Sequence, residues 1–201
     1  MIKAVVFDIG NVLMEWHPDK VYGELIPDVA RRKAIFEEVG LDEMNLDVDR
    51  GAPFKETIYA KADAFPQYGD LIRAWHDRWI EMAQPLIPKS WEILRKLKSQ
   101  GMPVFALSNF GVESYEYAKS VYPELDEFDV EFISGRLRMI KPDFGIYVHL
   151  EEETGLSGAD LVFFDDRLDN IEAAQKRGWH GFVFTSPDQM AIDLQGLGLS
   201  V

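Results

Sequence analysis

The segment VVFDIGNVL, Val5–Leu13, runs from an apolar stretch directly into a carboxylate, and this pattern decides the fold class. Residues 3–7 are short and rich in β-branched side chains, which predicts a buried strand. The strand ends at Asp8, and Gly10 follows two residues later. Because glycine tolerates backbone conformations that other residues avoid, we expect Gly10 to allow a sharp turn and a close approach of substrate. Asp8 alone would also suit an ordinary turn.

Strand and helix patterns alternate after Pro85. The predicted strands are residues 103–109, 129–134, 160–166 and 181–184, and the predicted helices are residues 89–101, 111–123, 142–155 and 168–178. Ser90 is expected to cap the first of these helices. Regular alternation is typical of an α/β protein, in which helices cover both faces of a doubly wound parallel sheet.

The stretch between the first strand and Pro85 has a different character. Residues 30–40 and 69–83 follow the periodicity of amphipathic helices, and Gly40 is placed to end the first of them. No convincing strand occurs in this stretch. We therefore predict an α/β core domain of residues 1–14 and 85–201, with a helical domain of residues 15–84 inserted after the first strand.

The composition excludes several classes of protein. The chain has 201 residues, of which 47% are apolar and 28% are charged, as in ordinary globular proteins. A net charge of -14 repels phosphate backbones and argues against a nucleic-acid partner. There is no cysteine, so disulfides, thiolate metal sites and a cysteine nucleophile are excluded. With no secretory pattern and no membrane-spanning run, we expect a cytoplasmic protein without a membrane partner; the composition does not specify an oligomeric state.

Three of the predicted strands end in polar side chains, and Lys141 lies in a loop that can reach the same edge of the sheet. The strand-end residues are Asp8, Ser108, Asn109, Asp165 and Asp166. Ligands of open α/β sheets bind at the carboxyl ends of the strands, so these residues are expected to converge. Each could instead have a local role, since such residues also cap helices and form turns.

The converging groups suit phosphoryl transfer. Two carboxylates together with a hard dication make a Mg²⁺ site, because Mg²⁺ prefers oxygen ligands. Ser108 and Lys141 could bind the remaining phosphoryl oxygens, and the nearest carboxylate could attack phosphorus to form an aspartyl-phosphate. Catalysis of this reaction depends mostly on positioning and on neutralisation of charge.

In their order along the chain, these motifs resemble those of the haloacid dehalogenase superfamily, and in particular its phosphatase-like members with an inserted helical cap. The matching segments are FDIGNVL at residues 7–13, LSN at 107–109, KPD at 141–143 and FFDDRLDNIEAA at 163–174. The similarity is greatest to bacterial sugar-phosphate phosphatases that begin FDxGNV. It implies a Rossmann-like core with residues 15–84 as the cap.

The resemblance also implies residue roles. Asp8 would be the nucleophile, with Lys141 as a second catalytic residue. Ser108, Asn109 and Lys141 would hold the phosphoryl group. Asp8, Gly10 through its carbonyl, and Asp166 would bind Mg²⁺, and Asp165 and Asn170 would support them. The expected substrate is a small phosphorylated metabolite, with a sugar phosphate as the candidate.

The sequence departs from the family at Gly10. Most phosphatases of the superfamily carry a second aspartate there, which protonates the leaving group and then activates water. Glycine cannot transfer a proton, and general acid–base catalysis contributes roughly 100- to 10,000-fold in rate. Glu15, His17, Asp165 or a metal-bound water are the candidates to replace it.

Other functions remain open at the level of sequence. A metal-free 2-haloacid dehalogenase would use the same nucleophile, although Asp165 and Asp166 suit a cation better than a carboxylate substrate. A catalytically impaired member that binds a phosphorylated ligand is favoured only by Gly10. A phospho-acceptor receiver domain is disfavoured, because its acidic pair lies on the first strand. The four histidines lack metal-ligand spacing, and Trp75 and Trp79 are expected to pack in the core of the helical insertion.

Overall fold

The computed structural model describes all 201 residues and contains a single five-stranded parallel sheet. The strands are β1 (Ala4–Phe7), β2 (Val104–Ser108), β3 (Val130–Ile133), β4 (Leu161–Asp165) and β5 (His180–Val183). Their order in the sheet is β3-β2-β1-β4-β5, and every neighbouring pair is parallel. This confirms the predicted α/β class and the doubly wound sheet.

Twelve α-helices and three short 3₁₀ helices connect the strands. The six helices between β1 and β2 that precede Pro85 are α1 (Asp19–Leu25), α2 (Val29–Val39), α3 (Leu41–Asp49), α4 (Phe54–Ala64), α5 (Gly69–Asp77) and α6 (Trp79–Met82). The others are α7 (Pro88–Ser99), α8 (Val112–Val121), α9 (Ser134–Leu137), α10 (Phe144–Thr154), α11 (Leu168–Lys176) and α12 (Pro187–Gly196). The 3₁₀ helices are Pro66–Tyr68, Pro123–Glu127 and Gly158–Asp160. None of the helices is long and apolar enough to cross a bilayer.

The strands bury both of their faces because successive side chains point to opposite sides of the sheet. On one face, Val5 and Phe7 belong to a cluster of 39 buried residues that includes side chains from α7, α12 and the helices before Pro85. On the other face, Ala4 and Val6 belong to a cluster of 14 that includes side chains from α10 and α11. This two-sided burial explains why β1, β2 and β4 are apolar without interruption until their last residues.

The register of the central strands aligns their carboxyl ends. Phe7 pairs with Ala106 on one side and with Phe164 on the other. Asp8 therefore follows β1 at the level where β4 ends in Asp165, and β2 ends nearby in Ser108.

The helical insertion leaves and rejoins the sheet through two adjacent segments. Glu15 donates its backbone N–H to Pro85, and Ile87 donates to Leu13. Residues 19–82 then contain six helices and one 3₁₀ helix and no strand, in agreement with the helical periodicity. The division into a core domain of 1–14 and 85–201 and a cap domain of 15–84 stays a prediction.

Three local predictions were wrong or incomplete. The helix expected over 69–83 is interrupted at Arg78, where the backbone leaves the helical region (φ -116°, ψ 17°). Ser90 does not cap α7, because the helix begins at Pro88; Ser90 lies inside the first turn and its buried Oγ has no hydrogen-bond partner. Helix α12 was not predicted, although Ser186 caps it in the usual way by accepting from the N–H of Gln189.

Candidate active site

Asp8 is held at the end of β1 by one of its two carboxylate oxygens. Oδ1 accepts hydrogen bonds from Ser108 Oγ at 2.7 Å and from the N–H of Ile9 at 2.7 Å, and it lies 3.0 Å from Lys141 Nζ. All of these donors reach Oδ1, so Oδ2 is the oxygen left to face the cavity that Asp8 lines. Burial raises the pKa of Asp8, and the ammonium of Lys141 opposes that shift.

Lys141 is a buried cation of the site, and its exposed fraction is 3%. Its Nζ contacts Asp165 Oδ2 at 2.6 Å, the carbonyl of Leu107 at 2.7 Å and Asp8 Oδ1 at 3.0 Å. Burial lowers the pKa of Lys141, but Asp165 and Asp8 outweigh that effect and raise it overall. An ammonium has three donors and each of them has a protein acceptor here, so the expected contact of Lys141 with a phosphoryl group stays a prediction.

Asp165 is fully buried, and each of its two carboxylate oxygens accepts two hydrogen bonds. Oδ1 accepts from the N–H of Arg167 at 2.8 Å and from Asn170 Nδ2 at 2.9 Å, while Oδ2 accepts from Lys141 and, at 3.0 Å, from the same amide of Asn170. Neither oxygen is left for a ligand. In this arrangement Asp165 holds the ammonium of Lys141, and its supporting role in the reaction stays a prediction.

Asp166 offers a more accessible carboxylate than its neighbour. Its Oδ2 accepts from Asn11 Nδ2 at 2.9 Å, and burial raises its pKa while that hydrogen bond lowers it. Carboxylate oxygens of Asp8, Asp165 and Asp166 lie within 4.8 Å of one another. Because both oxygens of Asp165 are occupied, Asp8, Asp166 and the buried Oδ1 of Asn170, which has no hydrogen-bond partner, are the oxygen groups that fit a hydrated Mg²⁺ ion.

Asn109 lies at the site, but its side chain is directed to a backbone. Its Nδ2 donates to the carbonyl of Lys141 at 3.0 Å, and its Oδ1 accepts from the N–H of Lys141 at 2.8 Å. Both ends of the amide thus hold the loop that carries Lys141. The expected contact of this side chain with a phosphoryl group stays a prediction, as does that of Ser108, whose hydroxyl donates to Asp8.

These residues form the floor of a cavity of about 560 Å³ whose walls come from the helical insertion. Asp8, Gly10, Ser108, Asn109, Lys141, Asp166 and Asn170 all line it. On the insertion side, Trp16, Trp75 and Trp79 form an aromatic wall, with ring centroids of Trp16 5.7 Å from Trp79 and 6.1 Å from Trp75. Trp75 and Trp79 are buried in the core as expected, yet each also has an edge on the cavity.

The turn after Asp8 does not depend on Gly10 in the way that the sequence suggested. The positive φ in this turn belongs to Asn11, at 55°, and not to the glycine. A Cβ atom built on Gly10 would meet only the Cβ of Trp16, at 3.9 Å, which is ordinary van der Waals contact. The prediction that Gly10 is needed for a sharp turn was therefore wrong, and the site has room for a side chain there.

Two of the acid–base candidates named from the sequence, Glu15 and His17, lie outside the cavity. Glu15 pairs with Lys20 at 2.7 Å, His17 is exposed, and neither lines the cavity. Sequence reasoning missed Asp49, at the end of α3, which lines the cavity together with Asp8. Burial and then the charge of Asp8 raise the pKa of Asp49 to about 7. Its local sequence, NLDVDRG, gives no signal of this, because the nearby Asp47 occurs in the same context and is exposed.

A family model and a curated relative match most of this chain. A family model described as a haloacid dehalogenase-like hydrolase matches residues 2–178. The chain is 27% identical to the sesquiterpene phosphatase astK of Aspergillus oryzae, over 97% of this chain and 96% of that protein.

Two solved structures share the fold. The first is a HAD family enzyme of Bacteroides thetaiotaomicron in complex with magnesium and inorganic phosphate (TM-score 0.73, 19% identity, 92% of this chain and 95% of that one). The second is the L-2-haloacid dehalogenase of Xanthobacter autotrophicus (TM-score 0.61, 20% identity, 100% of this chain and 85% of that one).

Proposed function

This chain belongs to the haloacid dehalogenase-like hydrolase family, and we propose that it is a Mg²⁺-dependent phosphatase of a small phosphorylated metabolite. The observation that carries the proposal is the arrangement of Asp8. Three donors hold its Oδ1, and its Oδ2 faces a cavity that also contains Asp166. A carboxylate fixed in this way is a nucleophile with a defined direction of attack.

The reaction follows from the positions of these side chains. Asp8 Oδ2 attacks phosphorus, the bond from phosphorus to the ester oxygen breaks, and an aspartyl-phosphate forms. Water then attacks phosphorus, the bond to Asp8 Oδ2 breaks, and inorganic phosphate and the free carboxylate result. Ser108 and Lys141 keep Oδ1 in place through both steps, and the charge of Lys141 stabilises the anionic transition state.

Asp8, Asp166 and the carbonyl of Gly10 are the groups that would hold Mg²⁺. When bound, the ion supplies neutralisation of the charge that accumulates on the phosphoryl oxygens. Asn170 Oδ1, which is buried without a partner, is available to a ligand water of the ion. The relative of known structure that holds magnesium and inorganic phosphate supports this part of the proposal.

The aromatic wall favours a substrate with an apolar face. The partly exposed Trp16, against which Trp75 and Trp79 pack, can contact the less polar face of a sugar ring or a hydrocarbon chain. The likeness to a sesquiterpene phosphatase supports the second, and the FDxGNV motif supports the first. A panel that contains a hexose phosphate and farnesyl phosphate separates the two by their kcat/KM values.

The proposal is tested by release of phosphate from 4-nitrophenyl phosphate with Mg²⁺ and with EDTA. We expect turnover that requires Mg²⁺ and that falls by at least about 1,000-fold in Asp8→Asn, since no other residue can replace the nucleophile. Asp160→Asn, which removes a half-buried carboxylate just before β4, is the matched control and should retain full activity.

The other functions give different results in the same experiment. A metal-free dehalogenase would release halide from 2-chloropropionate in EDTA and leave the aryl phosphate intact. The carboxylates of Asp8, Asp165 and Asp166, whose oxygens lie within 4.8 Å of one another, argue against this outcome, because they would repel a carboxylate substrate in the absence of a bound metal ion. An impaired member that only binds ligands would retain phosphate in the presence of Mg²⁺ without turnover.

A further inference from the structure

We propose that Asp49 is the general acid that protonates the leaving group, and the base that then activates water, in place of the side chain that is missing at Gly10. This inference rests on the proposed phosphatase function. It assigns an acid–base residue to the helical insertion and none to the segment that follows β1.

The carboxylate of Asp49 reaches the catalytic cavity in a fixed orientation. Its Oδ2 accepts a hydrogen bond from Asn45 Nδ2 at 3.0 Å, one turn earlier on α3. Asn45 Oδ1 in turn accepts from Trp75 Nε1 at 3.1 Å, so the amide can only present its N–H₂ group to Asp49. The backbone N–H of Gly111, in the loop after β2, lies close enough to this carboxylate to lower its pKa.

The end of α3 is packed tightly against the core, and this packing sets the position of Asp49. A Cβ on Gly51, where φ is 100°, would lie 2.6 Å from the carbonyl oxygen of Gly135. A Cβ on Gly111 would overlap the side chain of Val48. Ser134 Oγ donates to the carbonyl of Asp49 at 2.6 Å. Only glycine at positions 51 and 111 permits the end of α3 to come this close to the core. The insertion therefore holds Asp49 against the loop that follows β2 and against α9.

The charges around Asp49 suit proton transfer in both directions. Its pKa is raised to about 7 by burial and by the negative charge of Asp8; the N–H of Gly111 and the ammonium of Lys141 oppose the shift. Its contacts on α3 and α9 are with uncharged groups, namely Asn45 and the hydroxyl of Ser134. An acid with a pKa near the working pH can donate a proton in one step and accept one in the next.

Proton transfer by Asp49 completes the chemistry of both steps. As the bond from phosphorus to the ester oxygen breaks, the proton of Asp49 goes to that oxygen and the alcohol leaves neutral. The resulting carboxylate takes a proton from the water that attacks the phosphoryl group on Asp8. Cleavage of the aspartyl-phosphate restores the Asp8 carboxylate, and Asp49 is protonated again for the next cycle.

The other carboxylates near the cavity are less suited to this role. Both oxygens of Asp165 are occupied by four hydrogen bonds, and Asp166 is proposed as a metal ligand. Asp42 lines the cavity from the first turn of α3, but it is exposed, and the groups that raise its pKa do not include Asp8. Asp42 is therefore the rival that an experiment must exclude.

The test uses leaving groups of different basicity. Phenol release from 2,4-dinitrophenyl, 4-nitrophenyl and phenyl phosphate is measured in single turnovers with enzyme in excess and Mg²⁺ present, which isolates the first step. A basic leaving group needs a proton and a weakly basic one does not. We expect Asp49→Asn to lose about 100-fold or more on phenyl phosphate and only a few-fold on the dinitrophenyl ester. Asp47→Asn, on the same helix but with a 61% exposed side chain, should match wild type on all three.

Two further readouts separate a catalytic from a structural role. In Asp49→Asn, the phosphoenzyme formed from the dinitrophenyl ester should accumulate, visible by mass spectrometry as one added phosphoryl group, because its hydrolysis lacks a base. In wild type, where no variant has to fold, the rate of the first step with phenyl phosphate should fall, relative to the dinitrophenyl ester, as the pH rises through the raised pKa of Asp49.

Several results would overturn the inference. Equal losses on all three esters without accumulation of phosphoenzyme, or the leaving-group dependence appearing in Asp42→Asn, would remove Asp49 from the role. Identical pH profiles of wild type on the phenyl and dinitrophenyl esters would do the same. No release from any ester by wild type with Mg²⁺ would instead refute the proposed phosphatase function itself.

Discussion

Replacement of Asp165 by asparagine tests the charge balance at the floor of the site. Oδ1 and Oδ2 of Asp165 each face two donors, from Lys141, Asn170 and the N–H of Arg167. An amide in this position must turn its N–H₂ group towards donors whichever way it is rotated. The substitution therefore removes the buried negative charge that pairs with the ammonium of Lys141, and it also breaks hydrogen bonds.

The size of the effect follows from what remains around Lys141. Removal of one partner from a buried ion pair costs about 3–5 kcal/mol. Asp8 stays 3.0 Å from Nζ, and its repulsion from Asp165 is relieved, so we expect the lower end of that range, about 3 kcal/mol. For a chain of this length each kcal/mol lowers Tm by roughly 2–4 °C, which predicts a loss of roughly 6–12 °C.

The assay is thermal and urea unfolding of Asp165→Asn, followed by circular dichroism without Mg²⁺. Asp160→Asn is the control; its ion pair with Lys3 is exposed and worth at most about 1 kcal/mol. A loss in Asp165→Asn that is no larger than the control's would refute the view that Asp165 compensates the buried ammonium. The double variant with Lys141→Met should be less destabilised than the sum of the two single variants, because it removes both charges.

Two further predictions concern the contact between α3 and the core. Gly51→Ala should destabilise the protein by more than about 1 kcal/mol in urea unfolding, because φ is 100° at this position and the new Cβ would lie 2.6 Å from the carbonyl oxygen of Gly135. Gly101→Ala is the control, since φ is also positive there but no atom lies within 4 Å, so it measures the cost of the backbone strain alone. An equal loss of stability in the two variants would rule out the close contact. Asp49→Asn should gain stability relative to wild type as the pH rises from about 4 to about 7. In that range the carboxyl of Asp49 is ionised in the unfolded chain but still protonated in the folded protein, so a rise in pH favours unfolding of wild type. A difference in unfolding free energy that is independent of pH would contradict the raised pKa.

Local sequence patterns predicted much of the fold. The apolar runs that end in Asp8, Ser108 and Asp165 predicted three of the five strands and the edge at which they meet, because a strand buried on both faces must be apolar until it reaches that edge. Helix ends were harder to predict, as the misplaced cap at Ser90 and the break at Arg78 illustrate. Both depend on how α5, α6 and α7 pack against their neighbours, and propensity is easily overridden by such packing.

The sequence by itself therefore determined the class of the sheet, the helical insertion and the set of polar groups at the strand ends. The tertiary structure decided how those groups are used. The side chain of Asn109 bonds to the backbone of Lys141, and Ser108 donates to Oδ1 rather than Oδ2 of Asp8. Asp49 lines a cavity that also contains residues more than 100 positions away in the chain. The physical reason is that strand and helix patterns arise from interactions between near neighbours in the chain, whereas hydrogen-bond partners and pKa values depend on groups that only the packed fold brings together.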